Sequence, residues 1–203
     1  MENKTPIRKK AVATRQKLLE ATFEQIALHG YHNITVDKIA NAADVSTGTA
    51  YRYFKNKKEM LIAAIEYYYG NIQEFSNTPD KTLAAFDNLE DMLSYTLEQF
   101  YRIHKKYYEI HEELESLRHI DPEIKAVYNK ITQQAVNGLM KKCPDSIAAL
   151  PNLKERLYAC IGILENFAHT QMEEEVPCTL NLEELKNLSL HAVISILKTP
   201  SNI

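Results

Sequence analysis

The chain has 203 residues, of which 45% are hydrophobic and 25% charged, and its formal net charge is −3. This balance is ordinary for a soluble globular protein with a sizeable core. No apolar run approaches the roughly 20 residues that a membrane span needs, and no signal-peptide pattern opens the chain. We therefore expect a cytoplasmic protein with no membrane partner.

Charge is distributed unevenly along the chain. Residues 1–60 contain 11 Lys and Arg against 6 Asp and Glu, whereas residues 61–203 contain 13 against 21. A basic N-terminal third on an acidic body predicts a polyanion partner for the first part only. The polar residues 1–10 are either a solubilising tail or a basic arm that reaches DNA phosphates or the minor groove.

Residues 35–58, TVDKIANAADVSTGTAYRYFKNKK, predict two short helices and the start of a third. Thr35 and Ser46 are typical N-cap residues, and Asn56 with Glu59 forms a capping box. Small polar residues follow Ser46, so the second helix has a small, polar leading edge. Such a helix-turn-helix is built to enter a DNA major groove.

Two backbone positions frame this motif. Gly30 is placed to end a helix over residues 11–29, as a C′ residue in the left-handed conformation. Asp44 occupies the turn between the two short helices, where a left-handed residue is commonly required and Asp is tolerated.

The rest of the chain has few glycines, and its long segments without Gly or Pro predict an all-helical protein. An apolar stripe from Phe86 to Tyr108 indicates one long helix that starts after a linker near residues 76–80 and continues to about residue 119. Asp121-Pro122, Asn152 with Glu155, and Asn181 with Glu184 are helix-start signals. The later helices are predicted over residues 121–142, 152–175 and 181–198, with a short segment between Pro144 and Pro151.

The run TVDKIANAADVSTGTAYRYFKNKKEML, with Phe23 and Gly30 upstream, resembles the DNA-binding region of the tetracycline-repressor (TetR) family of bacterial transcription regulators. The similarity covers roughly residues 11–65 and departs from the family at Asp44, where the family often has Gly. It implies an N-terminal three-helix DNA-binding domain over residues 1–56, including the basic arm, and a larger helical effector-binding and dimerisation domain over residues 57–203.

The helices over residues 152–175 and 181–198 carry apolar residues on more than one face, so each needs partners on two sides. With the family resemblance, this pattern predicts a homodimer in which the pair forms a four-helix bundle with its symmetry mate. The alternative is a monomer in which both helices are fully buried.

A dimer would place two recognition helices about 34 Å apart on a palindromic site. Thr35, Tyr51, Tyr53 and Lys57 are expected to contact phosphates, while residues of the second short helix approach base edges. Arg52 is the side chain able to contact guanine with two hydrogen bonds. The predicted DNA-binding residues are Thr35, Ser46, Thr47, Gly48, Thr49, Tyr51, Arg52, Tyr53 and Lys57.

The resemblance also implies a pocket in the body for a small molecule that releases DNA. Aromatic residues with a few polar tips favour a largely apolar or aromatic effector; plain core packing is the alternative for each of them. The predicted pocket residues are Tyr68, Leu97, Phe100, His104, Tyr108, Tyr128, Ile131 and Phe167.

No metal or cofactor is predicted. His111, Glu115 and His119 share a helix face, but the flanking Glu112 and Glu113 indicate a solvated surface. The three cysteines, Cys143, Cys160 and Cys178, form no CxxC pair, so we expect neither a disulfide framework nor a zinc site.

An enzyme is not predicted, because the chain has no Gly-rich phosphate loop and no nucleophile elbow. The sequence favours a ligand-responsive regulator, by family majority a repressor, on a palindromic operator. The alternative is a helical adaptor or dimerisation protein without DNA binding. The effector, the operator, the regulated genes and the sign of regulation are not encoded in any motif.

Overall fold

The computed structural model describes residues 5–76, 89–106, 108–141, 143–172 and 179–198. Every regular element in these ranges is helical, which confirms the all-α fold class. A short 3-10 turn, Tyr31–Asn33, lies between the first two α-helices. The helices are α1 Thr5–His29, α2 Val36–Ala42, α3 Thr47–Tyr53, α4 Lys57–Ser76, α5 Leu89–Lys106, α6 Tyr108–Ile120, α7 Pro122–Met140, α8 Asp145–Ala148, α9 Leu153–Thr170 and α10 Leu182–Lys198.

The chain forms two compact units. The first comprises Met1–Asn71 and Glu109–Tyr128, and the second comprises Ile72–Tyr108 and Asn129–Ile203. The predicted boundary after residue 56 lies inside the first unit, so a separate DNA-binding domain over residues 1–56 stays a prediction. None of the described helices is long and apolar enough to cross a membrane.

The core of the first unit follows the predicted helical spacing. Leu19, Phe23 and Ile26 of α1 are all buried, and α1 packs against α2, which packs against α3. Each such side chain contributes about 1.5–3 kcal/mol when fully removed from water. The buried residues of α2 to α4 and their connections are Val36, Ile39, Ala40, Ala43, Ala50, Phe54, Met60, Leu61, Ala64 and Ile65.

The predicted helix starts of the helix-turn-helix are confirmed. The Thr35 hydroxyl accepts from the Lys38 N–H at 3.3 Å, and the Ser46 hydroxyl accepts from the Thr49 N–H at 3.2 Å. Asn56 Oδ1 accepts from the Glu59 N–H at 2.9 Å. These bonds satisfy donors that the first turn of each helix leaves unpaired.

The turn residues behave partly as predicted. Asp44 has φ 56°, the left-handed conformation that its place between α2 and α3 requires. Gly30 also has positive φ, 74°, but its ψ of 150° is extended rather than left-handed helical. Only glycine adopts that region readily, so Gly30 is required there for a different reason than the one predicted.

Several predicted boundaries are wrong. α1 begins at Thr5, six residues before the predicted start, so residues 5–10 of the predicted arm are helical. Asn152 does not cap α9, because it has φ 55° and its side chain makes no cap hydrogen bond. α9 ends at Thr170 rather than near residue 175. The predicted linker residues 77–80 lie outside the described part of the chain.

The predicted single helix to residue 119 is two helices, α5 and α6. Leu93 and Leu97 of α5 belong to the core of the second unit, whereas Leu114 and Leu117 of α6 lie in the first unit. The apolar residues that the sequence places on one helical stripe are therefore divided between the cores of two units. Neither Gly nor Pro marks the division in the sequence.

The second unit is built around α9, which packs against α5 and α10. The Cys160 thiol lies in this core, and burial raises its pKa to about 11. Cys143 and Cys160 are free thiols, and Cys178 lies outside the described residues. The buried core residues are Leu93, Leu97, Val136, Leu153, Leu157, Cys160, Ile161, Leu164, Phe167, Leu190, Val193, Ile194 and Leu197.

Candidate nucleic-acid interface

The leading edge of α3 rests on a small core. Ala50 is fully buried and Phe54 nearly so, while Gly48 and Arg52 are exposed. A Cβ placed on Gly48 would meet nothing within 4 Å, so packing within the protein does not require glycine there. The open space lets the backbone of α3 approach a ligand closely.

The hydroxyls at the start of α3 are already engaged within the protein. The Ser46 and Thr49 hydroxyl oxygens are 2.9 Å apart, so one donates to the other. The Thr47 hydroxyl donates to Asp37 Oδ1 at 2.6 Å. These three hydroxyls therefore order the start of α3, and their role toward DNA stays a prediction.

Arg52 and Tyr51 remain available on the surface. Tyr51 is 54% exposed, and in the described structure no hydrogen bond or ion pair engages the Arg52 guanidinium. Tyr53 is half-buried, with its ring 6.4 Å from that of Phe54. Of the two tyrosines, Tyr53 thus packs partly against the core, whereas Tyr51 is a surface group.

Lys57 has a structural role that the sequence does not reveal. Its ammonium donates to the carbonyl oxygens of Tyr31 at 2.7 Å and Ile34 at 3.0 Å, and it lies 4.4 Å from the Tyr31 ring centroid. Burial lowers the pKa of Lys57. Since an ammonium has three donors, one remains for the predicted phosphate contact.

Polar contacts also join the 3-10 turn to α6, and the start of α4 to the start of α7, within the first unit. Glu113 was predicted to be solvated, but it accepts from the Tyr31 N–H at 2.7 Å. Lys58 pairs with Asp121 at 2.8 Å and with Glu123 at 3.0 Å. The hydrogen bond from Lys58 lowers the pKa of Asp121. No local sequence pattern predicts these contacts, because the partners are far apart in the chain.

The predicted effector residues are divided between the units. Tyr68 lies in the first unit, with its ring 4.0 Å from that of Phe23. Tyr128 is buried there beside Tyr69, with ring centroids 5.6 Å apart. Leu97 and Phe167 are core residues of the second unit, where Ile131 is half-buried. The side chains of Phe100, His104 and Tyr108 lie outside the described part of the structure.

The Tyr128 hydroxyl is buried without a partner at hydrogen-bonding geometry. Burial raises the pKa of Tyr128, and the neighbouring Tyr69 raises it further. The Arg118 guanidinium lies 5.6 Å from the Tyr128 ring centroid.

The residues considered for a metal occupy different environments. His111 is buried, Glu115 pairs with Arg118 at 3.3 Å, and His119 is exposed. Over the described ranges, no three His, Cys, Asp or Glu side chains are grouped so that they could hold a metal ion.

The residues of this interface lie within a region that matches a known protein family. Residues 18–64 match the model of bacterial regulatory proteins, tetR family. Over 47 residues the chain is 49% identical to the fatty acid metabolism regulator protein of Bacillus subtilis (strain 168), covering 23% of this chain and 24% of that protein. Over 144 residues it is 27% identical to the transposon Tn10 TetC protein of Escherichia coli, covering 66% and 73% respectively.

The whole fold also has a counterpart among solved structures. The transcriptional regulator FadR from Bacillus subtilis, in complex with stearoyl-CoA, matches with a TM-score of 0.67 and 23% identity, covering 89% of this chain and 97% of that chain. The structural match therefore includes the body. The sequence match to the fatty acid metabolism regulator protein, in contrast, covers only 24% of that protein.

Proposed function

We propose that this chain, which belongs to the tetR family of bacterial regulatory proteins, represses transcription by binding a palindromic operator as a homodimer. The observation that carries the proposal is the exposed edge of α3, where Arg52 and Tyr51 project from a helix whose other face is buried. Exposed side chains on one face of a short helix suit base and phosphate contacts in a major groove. Such a regulator acts in the cytoplasm, where bacterial DNA lies.

The contacts divide by the chemistry of each side chain. We assign base contacts to Thr47, Gly48, Thr49 and Arg52. We assign phosphate contacts to Thr35, Tyr51, Tyr53 and the remaining donor of Lys57. The DNA contacts thus come from residues 1–56 and from Lys57 directly after them, while the rest of the body holds the copies together and binds the effector.

The outer faces of α9 and α10 support the dimer. Tyr158 and Leu188 are 64% and 59% exposed, and a Cβ on Gly162 would meet nothing within 4 Å. Large apolar groups next to small residues favour close packing of helices from a second copy. The proposed dimer is therefore a four-helix bundle of two α9–α10 pairs.

The effector in this proposal is a small molecule with a large apolar part. Support comes from the predicted aromatic residues and from the FadR structure, which contains stearoyl-CoA. Stearoyl-CoA is therefore the first compound to test. Release of the operator at micromolar stearoyl-CoA, but not with coenzyme A alone, would assign the recognition to the acyl chain.

The DNA proposal is tested by fluorescence anisotropy, with a duplex selected from a random library by the full-length protein. Arg52→Ala should weaken binding to the selected site by about 1–3 kcal/mol and weaken binding to random DNA much less. Arg102→Ala, which removes the same charge from α5, is the matched control.

Three results would contradict parts of this proposal. Equal loss on all sequences would restrict Arg52 to phosphate contact. Loss of affinity with Arg102→Ala would point to a general charge effect. If no saturable complex survives excess random DNA, the chain is an adaptor rather than a regulator.

A further inference from the structure

Asp37 is an exposed carboxylate at the edge of the recognition helix. It lies near the start of α2, and its Oδ1 accepts from the Thr47 hydroxyl at 2.6 Å. Thr47 is the first residue of α3. In a helix-turn-helix, the N-terminal residues of the recognition helix are the ones that contact base edges. The hydrogen bond therefore brings the carboxylate to the part of the interface that faces the bases.

No cation neutralises this carboxylate within the described structure. The adjacent Lys38 ammonium donates instead to the Asn33 carbonyl at 3.0 Å. A carboxylate has about four acceptor positions, and the Thr47 hydroxyl uses one of them on Oδ1. Oδ2 has no partner in the described structure.

An unpaired carboxylate at a DNA interface is unfavourable unless a donor meets it, because phosphates repel it. In the major groove the available donors are the exocyclic amino groups of cytosine and adenine, whereas guanine O6 and thymine O4 are acceptors. An acceptor facing an acceptor is repulsive, so the same group that favours one base rejects another.

We propose that Asp37 is a specificity-determining residue of the DNA interface. One carboxylate oxygen holds the Thr47 hydroxyl, and the other accepts a hydrogen bond from the exocyclic amino group of a cytosine or adenine in each half-site. The inference rests on the proposed DNA-binding function and adds to it a base contact made from α2 rather than from α3.

The proposal makes two linked predictions for Asp37→Ala. Discrimination at one base position of each half-site should fall by about tenfold, within the roughly 5- to 150-fold range of a good base contact. Affinity for random DNA should rise at low salt, because a charge that repels phosphate has been removed. A purely structural role would lower affinity for all sequences.

The experiment combines selection from a random duplex library with anisotropy at two salt concentrations, using the full-length chain. Asp44→Asn is the matched control, since it removes the charge of another exposed carboxylate in the same motif and Asn tolerates the left-handed backbone of this turn. It should raise affinity for random DNA without changing any base preference. Thr47→Val keeps the side-chain shape but removes both the hydrogen bond to Asp37 and the base contact assigned to Thr47. Because the Asp37 carboxylate is still present, the preference for a cytosine or adenine amino group should persist in this variant; its loss would mean that Thr47, not Asp37, reads that base.

The outcomes separate the two proposals. If the wild-type chain selects no site, the DNA-binding function fails before Asp37 is tested. If it selects a site and Asp37→Ala selects the same one with equal discrimination, the carboxylate only orders Thr47 and the inference is overturned. If Asp37→Ala does not fold, Asp37→Asn replaces it. Its amide also donates, so guanine or thymine should become acceptable at that position, and an unchanged preference would again overturn the inference.

Discussion

Our proposals give this chain two surfaces that meet macromolecules. One is the α2–α3 edge, formed by the starts of α2 and α3, and the other is formed by the outer faces of α9 and α10. The first is polar, and its hydroxyls are held by hydrogen bonds such as that from Thr47 to Asp37. The second combines small residues with exposed apolar ones, such as Gly162 beside Tyr158.

The contrast shows how each surface obtains its precision. Base edges are distinguished by hydrogen-bond direction, so the DNA surface must be ordered before DNA arrives. Helix packing is governed by shape and excluded water, so the dimer surface needs only small side chains where two helices approach and apolar ones beside them.

The largest expected effect is on the dimer surface, from Gly162→Arg. Arg is a better helix former than Gly, so α9 should not lose stability, but two copies would bring bulk and like charge together. We expect the dimer dissociation constant to rise by about 30-fold or more, since overpacking costs about 1–3 kcal/mol for each of the two copies. Light scattering across a dilution series measures this dissociation constant.

Gly138→Arg is the matched control for that substitution. Gly138 is also helical, in the last turn of α7, and a Cβ there likewise meets nothing within 4 Å. It should leave the dimer intact. If both variants dissociate equally, or if neither does, the copies do not meet through α9.

An intermediate effect is expected at Lys57, which belongs to the support of the DNA surface. Lys57→Ala removes two hydrogen bonds to the carbonyl oxygens of Tyr31 and Ile34. We expect the free energy of unfolding to fall by about 1–2 kcal/mol in urea titration. Lys55→Ala, at an exposed position nearby, should change it by less than about 0.5 kcal/mol.

The same pair of variants tests the phosphate contact. If the third donor of Lys57 reaches a phosphate, Lys57→Ala should also lower the salt slope of DNA binding by about one unit. Equal stability of the two variants would contradict the structural role. An unchanged slope would leave Lys57 as a support of the motif only.

The helix-turn-helix is more predictable from sequence than the body for a physical reason. Its N-caps at Thr35 and Ser46 and its left-handed turn at Asp44 depend on residues within a few positions of each other. The division between α5 and α6 depends on which core Leu93 and Leu114 enter, and such tertiary contacts have no local signal. Asn152 illustrates the limit, because a favourable capping residue adopts a backbone conformation in which it does not cap.

The candidate site shows the same limit. The exposure of Arg52 and Tyr51 follows from the helical period, so the sequence predicts it. The bonds from Thr47 to Asp37 and from Lys57 to Tyr31 join residues 10 and 26 positions apart. A separation of ten positions between two polar side chains does not show that they are in contact until α2 and α3 are packed.

The smallest expected effect is at Asp44, the exposed carboxylate in the turn between α2 and α3. Asn tolerates the left-handed backbone as Asp does, so Asp44→Asn removes the charge without changing the turn. Stability should change by less than about 0.5 kcal/mol. Affinity for any DNA should rise about two- to fivefold at low salt, and the gain should shrink as salt increases.

Comparing Asp44→Gly with Asp44→Asn separates the effect of the lost charge from the effect of the backbone conformation. Glycine relieves the left-handed strain at φ 56° but loses more chain entropy on folding, and these effects of about 1 kcal/mol oppose each other. Both variants should therefore bind DNA alike, with unchanged base preference. A changed preference in Asp44→Asn would mean that the turn itself contacts a base, and the distinction between the two carboxylates, Asp37 for sequence and Asp44 for charge alone, would be wrong.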